Sequence, residues 1–165
     1  MLILLDIDGV MVSGAGWRKP ELLKDGFPAF THQATEALAR ILTPKTKIIL
    51  STSHRDRYSV DQWKEIFKAR GLSVSNLDKL GTYNISSSNR VRDIQEWFDK
   101  NPDAKNFIII DDDTSLNSLP SNLKDHLVLT PSVVGLTYEM LKPYIHKSLG
   151  KKPKTRRRLR QQNQR

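Results

Sequence analysis

Three short polar clusters carry the chemistry of this sequence. Asp6-Ile7-Asp8-Gly9 places two carboxylates two residues apart beside a glycine, Ser51-Thr52-Ser53 offers three hydroxyls, and Asp111-Asp112-Asp113 sets three carboxylates in a row. Each cluster follows a short, mainly apolar run: Leu2–Leu5, Lys47–Leu50 and Phe107–Ile110. Such runs read as buried strands, and in an open parallel sheet ligands bind at the carboxyl ends of the strands. The three clusters are therefore expected to converge on one edge of a sheet. Carboxylates held that close repel one another, and a hard divalent cation relieves the repulsion. Magnesium suits the pattern, because it takes one or two carboxylates together with phosphate oxygens. Alone, Asp111–Asp113 reads as a helix cap and Asp8 as a surface-turn residue. Set opposite a strand-terminal Asp-x-Asp-Gly, metal binding is the better reading.

Elements must position these clusters, and the remaining pattern supplies them. Apolar runs alternate with helical patterns, which predicts an α/β fold: a three-layer, Rossmann-like core around a parallel sheet. Thr31 is placed to cap a helix whose Ala34, Leu38, Ile41 and Leu42 share a face. Ser59 and Gln62 form a capping box ahead of Val60, Trp63, Ile66 and Phe67, and Gly71 offers a stop. Leu72–Val74 is expected as the third strand. A helix is expected to begin near Ser88 or Asn89, to carry Val91, Ile94, Trp97 and Phe98 at helical spacing, and to end at Asn101-Pro102. Leu127–Leu129 reads as the last strand. A final helix after Thr137 would use Leu141, Ile145 and Leu149, with Pro143 distorting it locally. The aromatic residues at helical spacing read as core.

Bulk properties narrow the function. A chain of 165 residues with 38% hydrophobic and 27% charged residues fits one globular domain. The sequence has no cysteine, which excludes disulfides, thiolate catalysis and a Cys-ligated zinc site. Asp6 and Asp8 interrupt the N-terminal apolar run too early for a signal peptide, and no apolar stretch approaches the roughly 18 residues of a membrane span. A soluble cytoplasmic protein is expected, with no membrane partner. The net charge is +9, yet residues 151–165 hold eight of the 27 basic residues and no acid, leaving 19 basic against 18 acidic residues in the rest. The expected organisation is a domain over 1–150 and a basic, disordered tail over 151–165. Such a tail suits a nucleic acid, through counterion release, or serves as a solubilising or protein-binding segment.

The arrangement resembles the haloacid dehalogenase (HAD) superfamily of phosphohydrolases. Its first motif, Asp-x-Asp followed by a small residue, matches Asp6-Ile7-Asp8-Gly9; its second, a strand ending in Ser or Thr, matches Ile48-Ile49-Leu50-Ser51. Its third, a basic residue near a helix start, matches Arg90, with Arg92 the alternative, and its fourth matches Asp111-Asp112. All four occur in order between residue 1 and about 145. The pieces LLDIDGV, IILSTSHR, SNRVRDIQEWF and FIIIDDD are also similar to the HAD domain found among bacterial and phage RNA-repair proteins. Those domains are similar in turn to the phosphatase domain of polynucleotide kinase-phosphatase.

The resemblance implies roles. Asp6 would attack phosphorus and form an aspartyl-phosphate, and Asp8 would act as general acid and then general base. Magnesium would be held by Asp6, by the Asp8 backbone carbonyl and by Asp112, with Asp111 a direct ligand or, preferably, a residue that positions Asp112. Ser51 would donate to the phosphoryl oxygens, and Arg90 would supply fixed positive charge. Thr52, Arg55 and Gly9 are candidate substrate-binding positions, although Thr52 and Ser53 also suit a turn cap and His54 reads as structural or exposed. The segment from Gly9 to Thr31 is a flap, too short for a cap domain. An open site favours the end of a macromolecule. A terminal RNA or DNA phosphate is the expected substrate, with Trp17 either stacking on a terminal base or anchoring the flap. A phosphoprotein substrate and a non-catalytic nucleic-acid-binding module are the alternatives. No P-loop pattern is present, so any kinase or ligase activity is expected from a repair partner.

Overall fold

The structure is a computed structural model and describes residues 1–17, 19–81 and 89–148. Five strands, β1 (Leu2–Leu5), β2 (Lys47–Leu50), β3 (Asn76–Lys79), β4 (Phe107–Asp111) and β5 (Leu127–Leu129), form one sheet in the order β3-β2-β1-β4-β5, with every pairing parallel. The three central strands lack alternation because both of their faces are covered. Ile3, Leu5, Ile48, Leu50, Ile108 and Ile110 face α1 (His32–Ala39), α2 (Val60–Lys68) and α5 (Tyr138–Ser148), packing with Leu38, Trp63, Phe67 and Leu141. Leu4, Ile49 and Ile109 face the other layer, built from α3 (Arg90–Lys100), a 3₁₀ turn over Thr114–Ser118 and α4 (Ser121–Lys124), where Ile94, Leu116 and Leu123 close the core. This is the three-layer, Rossmann-like arrangement expected from the sequence.

Local chemistry sets the helix ends. The Thr31 hydroxyl accepts from Ala34 N at 3.3 Å, and Ser59 and Gln62 complete a reciprocal capping box. Asn89 caps α3 by accepting from Val91 N at 3.0 Å, so the helix starts there; Ser88, the other expected start, lies outside the described residues. Beyond α2, Gly71 takes φ +77°, with Leu72 N–H donating to Phe67 O and Gly71 N–H to Lys68 O, a Schellman closure. Helix α5 runs through Pro143. Leu149, the boundary at Gly150 and the basic tail lie outside the described residues.

One strand differs from expectation. Leu72 and Val74 are buried core residues without a ladder, and the third strand is Asn76–Lys79. That strand lies at the sheet edge and buries only Leu77, so its sequence, Asn-Leu-Asp-Lys, has no apolar run to read. The 3₁₀ turn and α4 were likewise not expected from the sequence. Each is too short for a helical period to show.

The flap, residues 10–30, is held at its base and its far end. Ile7 O accepts from Met11 N at 2.8 Å and Val12 N at 3.0 Å, turning the chain sharply after β1. At the far end Arg70, just past α2, donates to Phe27 O (2.7 Å), Pro28 O (2.9 Å) and Ile66 O (2.7 Å) and pairs with Asp25 at 2.7 Å. Phe27 is thereby buried edge-on against Tyr58 and Trp63. Trp17, between these anchors, is 80% exposed, so it does not tie the flap to the core. No helix among the described residues is long and apolar enough to cross a membrane.

Candidate active site

The sheet ladder continues one residue past the strands and so fixes the first residue of each polar cluster. Asp6 N donates to Ile110 O at 3.0 Å, and Ser51 N donates to Leu5 O at 3.0 Å. Strand β1 sits where the order reverses, with β2 and β3 on one side and β4 and β5 on the other. The crevice at the carboxyl ends of β1 and β4 is therefore the switch point at which such sheets bind ligands.

Asp6 and Asp111 lie side by side there, 3% and 0% exposed. Arg90, the first residue of α3, joins them: its Nη1 stands 2.9 Å from Asp6 Oδ2 and donates to Asp111 Oδ1 at 2.9 Å and Oδ2 at 3.0 Å. Asp111 Oδ1 also accepts from Asp113 N at 2.9 Å. Asp6, Asp111 and Asp112 each bring one carboxylate oxygen within 4.8 Å of the others. One guanidinium faces three carboxylates, and the imbalance appears in their proton affinities. Burial, then the charge of Asp6, pushes Asp111 up to about 7. Burial also raises Asp6, with Arg90 opposing, and burial and the charge of Asp6 raise Asp112. Arg90 is held above its ordinary value: burial works against its charge, but Asp111 and Asp6 outweigh it.

Two buried polar atoms in this crevice, Asp6 Oδ1 and Ser51 Oγ, have no hydrogen-bond partner. Leaving such atoms unsatisfied costs about 1–3 kcal/mol each, so a water or a ligand atom is needed to meet them. Their residues line an open groove of about 690 Å³ together with Asp8, Arg90, Asp112 and Thr114. A slightly larger groove, about 720 Å³, runs between the flap and α2, with Leu23, Tyr58 and Ile66 in its lining, but among the described residues the acids placed to share a metal ion are Asp6, Asp111 and Asp112 in the first groove. The clustered hard oxygen donors and their raised proton affinities fit a divalent metal ion.

The family model for the HAD domain in Swiss Army Knife RNA repair proteins matches residues 2–141. The chain belongs to this family. No curated protein and no solved structure matches it.

Within this HAD domain the other expected site residues divide between groove and scaffold. Gly9 has φ +71°, and a Cβ there would come within 2.0 Å of Asp112 Oδ2, so a side chain would collide with the carboxylate it must admit. Arg55 touches the groove, yet its side chain is spent on structure. It donates to Leu80 O (2.8 Å) and Thr52 O (3.1 Å) and stands 3.6 Å from buried Asp93. Thr52 is fully buried and serves the turn, its hydroxyl accepting from His54 N at 3.3 Å, whereas Ser53 lines the groove. Arg92, two residues beyond Arg90, lines a different groove with Gln95, Glu96 and Asn122.

Sequence reasoning missed three residues that hold the site. Thr130, buried, donates to Gly9 O at 2.8 Å and so fixes the loop carrying Asp8. It follows the apolar run Leu127–Leu129 just as Ser51 follows β2, and that parallel was the available signal. Asp93 is buried one turn beyond Arg90 and ties α3 to Arg55. His54 Nε2 lies 2.8 Å from Asp8 Oδ2, a contact between residues 46 apart that no local pattern announces.

Proposed function

We propose that this HAD domain is a magnesium-dependent phosphomonoesterase that removes a terminal phosphate from a nucleic acid through an aspartyl-phosphate on Asp6. The carrying observation is the pair of unpartnered buried atoms, Asp6 Oδ1 and Ser51 Oγ, at the floor of the groove. In this reading one is a nucleophile and the other a hydroxyl donor, and their residues line the same groove. Arg90 holds Oδ2 of Asp6 and leaves Oδ1 without a protein partner.

In this reading Asp6 Oδ1 attacks phosphorus as the ester P–O bond breaks, and Asp8 gives its proton to the departing oxygen. Asp8, now a carboxylate, takes a proton from the water that attacks the aspartyl-phosphate, releasing phosphate and restoring Asp6. Ser51 Oγ donates to a phosphoryl oxygen, and Arg90 adds fixed positive charge at the bond being made. Asp6, Asp112 and the Asp8 carbonyl would hold magnesium, which when bound offsets the repulsion between a carboxylate and a phosphate dianion. Asp111, already engaged with Arg90 and Asp113 N, is assigned to positioning.

The substrate assignment rests on the open groove, on a flap without a cap domain and on membership of a family named for RNA repair proteins. The deciding experiment follows phosphate release from a 3′-phosphorylated RNA oligonucleotide with magnesium. Wild type should turn over, and Asp6→Asn should lose about 10³-fold or more while keeping its circular-dichroism spectrum. Turnover of an aryl phosphate alone would move the substrate to another phosphate end or to a phosphoprotein. Failure on both would leave a nucleic-acid-binding module.

A further inference from the structure

We propose that His54 is a positioning residue that decides which oxygen of Asp8 handles the proton. The inference rests on the phosphohydrolase reading and deepens it. Asp8 is the acid of that reading, yet its side chain is 54% exposed, and the hydrogen bond from His54 Nε2, 2.8 Å from Oδ2, is its one side-chain hydrogen bond among the described residues. A short carboxyl group on a solvent-facing loop otherwise samples several rotamers, of which few aim at a leaving oxygen.

His54 is built to be rigid. Its backbone N–H donates to Thr52 Oγ1, and its ring stands edge-on to Phe27, with centroids 5.8 Å apart. Phe27 is itself wedged against Tyr58 and Trp63, and its carbonyl is held by Arg70. The ring is thus fixed from two sides, by the turn after β2 and by the anchored end of the flap. With the hydrogen on Nε2, it donates to Oδ2, which favours Oδ2 as the carbonyl oxygen of the protonated acid. The acidic proton then sits on Oδ1, the oxygen that His54 does not hold. In the first half-reaction that proton passes from Oδ1 to the departing ester oxygen; in the second, Oδ1 takes a proton from the attacking water. His54 keeps its own hydrogen throughout.

Two variants separate the hydrogen bond from the packing. His54→Phe keeps a ring against Phe27 and loses the donor, whereas His54→Gln keeps an N–H donor and loses the ring. First-turnover release of the leaving group would be measured for a 3′-phosphorylated RNA oligonucleotide, an alkyl ester whose departing oxygen needs a proton, and for p-nitrophenyl phosphate, which needs it far less. His54→Phe should slow release from the alkyl ester about 10- to 100-fold with little change in KM, slow the aryl ester markedly less, and be largely rescued in His54→Gln. Equal losses on both esters, a change in KM alone, or Gln no better than Phe would overturn the proposal. Inactivity of wild type on both esters would instead overturn the phosphohydrolase reading, and this proposal with it.

Discussion

Asp6 and Asp111 are acids buried where water cannot solvate their charge, and stability must depend on pH accordingly. Asp111 is pushed up to about 7 in the fold, against about 3.9 in an unfolded chain. Folding therefore favours its neutral form. Its contribution is most favourable below pH 4 or so and is lost as pH rises toward 7. Metal-free protein should accordingly melt at a higher temperature at pH 5.5 than at pH 8, and Asp111→Asn should shrink that difference. Magnesium should reverse the order, raising the melting temperature more at pH 8, because it displaces protons from its carboxylates. Calorimetry at both pH values, with chelator and with magnesium, checks both signs. At this scale Asp6, Asp8 and Asp111–Asp113 were legible because each cluster is contiguous and follows a strand. Arg90 and Arg92 stayed alternatives, since both lie in the first turn of one helix. Only the seating of α3 on the sheet turns Arg90 toward Asp6 and sends Arg92 to another groove.

Between elements, the flap depends on one side chain. Arg70 is buried and makes hydrogen bonds to three backbone carbonyls as well as to Asp25, whose carboxyl the Arg70 guanidinium holds below its usual range. Arg70→Met should cost about 2–4 kcal/mol in urea unfolding, because the carbonyls of Phe27, Pro28 and Ile66 lose their donor inside the protein. If the chain from Phe27 through His54 to Asp8 operates, the same variant should also slow turnover, whereas an unchanged rate would detach the flap from the acid. The helix caps at Thr31, Ser59 and Asn89 were legible, since capping is a local hydrogen bond between near neighbours. Strand β3 was not. An edge strand with one buried residue takes its conformation from its partner β2, not from its own composition.

For the whole molecule, the question is how an open groove selects its substrate. Trp17 stands 80% exposed on the flap and lines, with Val12, Lys19 and Val133, a second groove that shares no lining residue with the candidate active site. An unburied indole is a stacking platform for a nucleobase, worth about 1–3 kcal/mol per base. Trp17→Ala should therefore raise KM for a 3′-phosphorylated RNA oligonucleotide about tenfold and lower its kcat/KM by the same factor relative to that for an aryl phosphate. A parallel change for both substrates would remove Trp17 from substrate selection. Its exposure also means that the substitution should barely move the melting temperature.

The sequence by itself determined the α/β architecture, the family and the edge of the sheet at which the chemistry gathers. Those properties rest on contiguous signals: apolar runs of strand length, caps at helix starts, and acids or hydroxyls directly after three strands. The tertiary structure alone decided which arginine faces Asp6, that Arg55 and Thr52 hold the turn after β2, that Thr130 fixes Gly9, and that His54 touches Asp8. Each of these is a contact between segments far apart in the chain, set by how strands and helices pack, and local spacing carries no record of it.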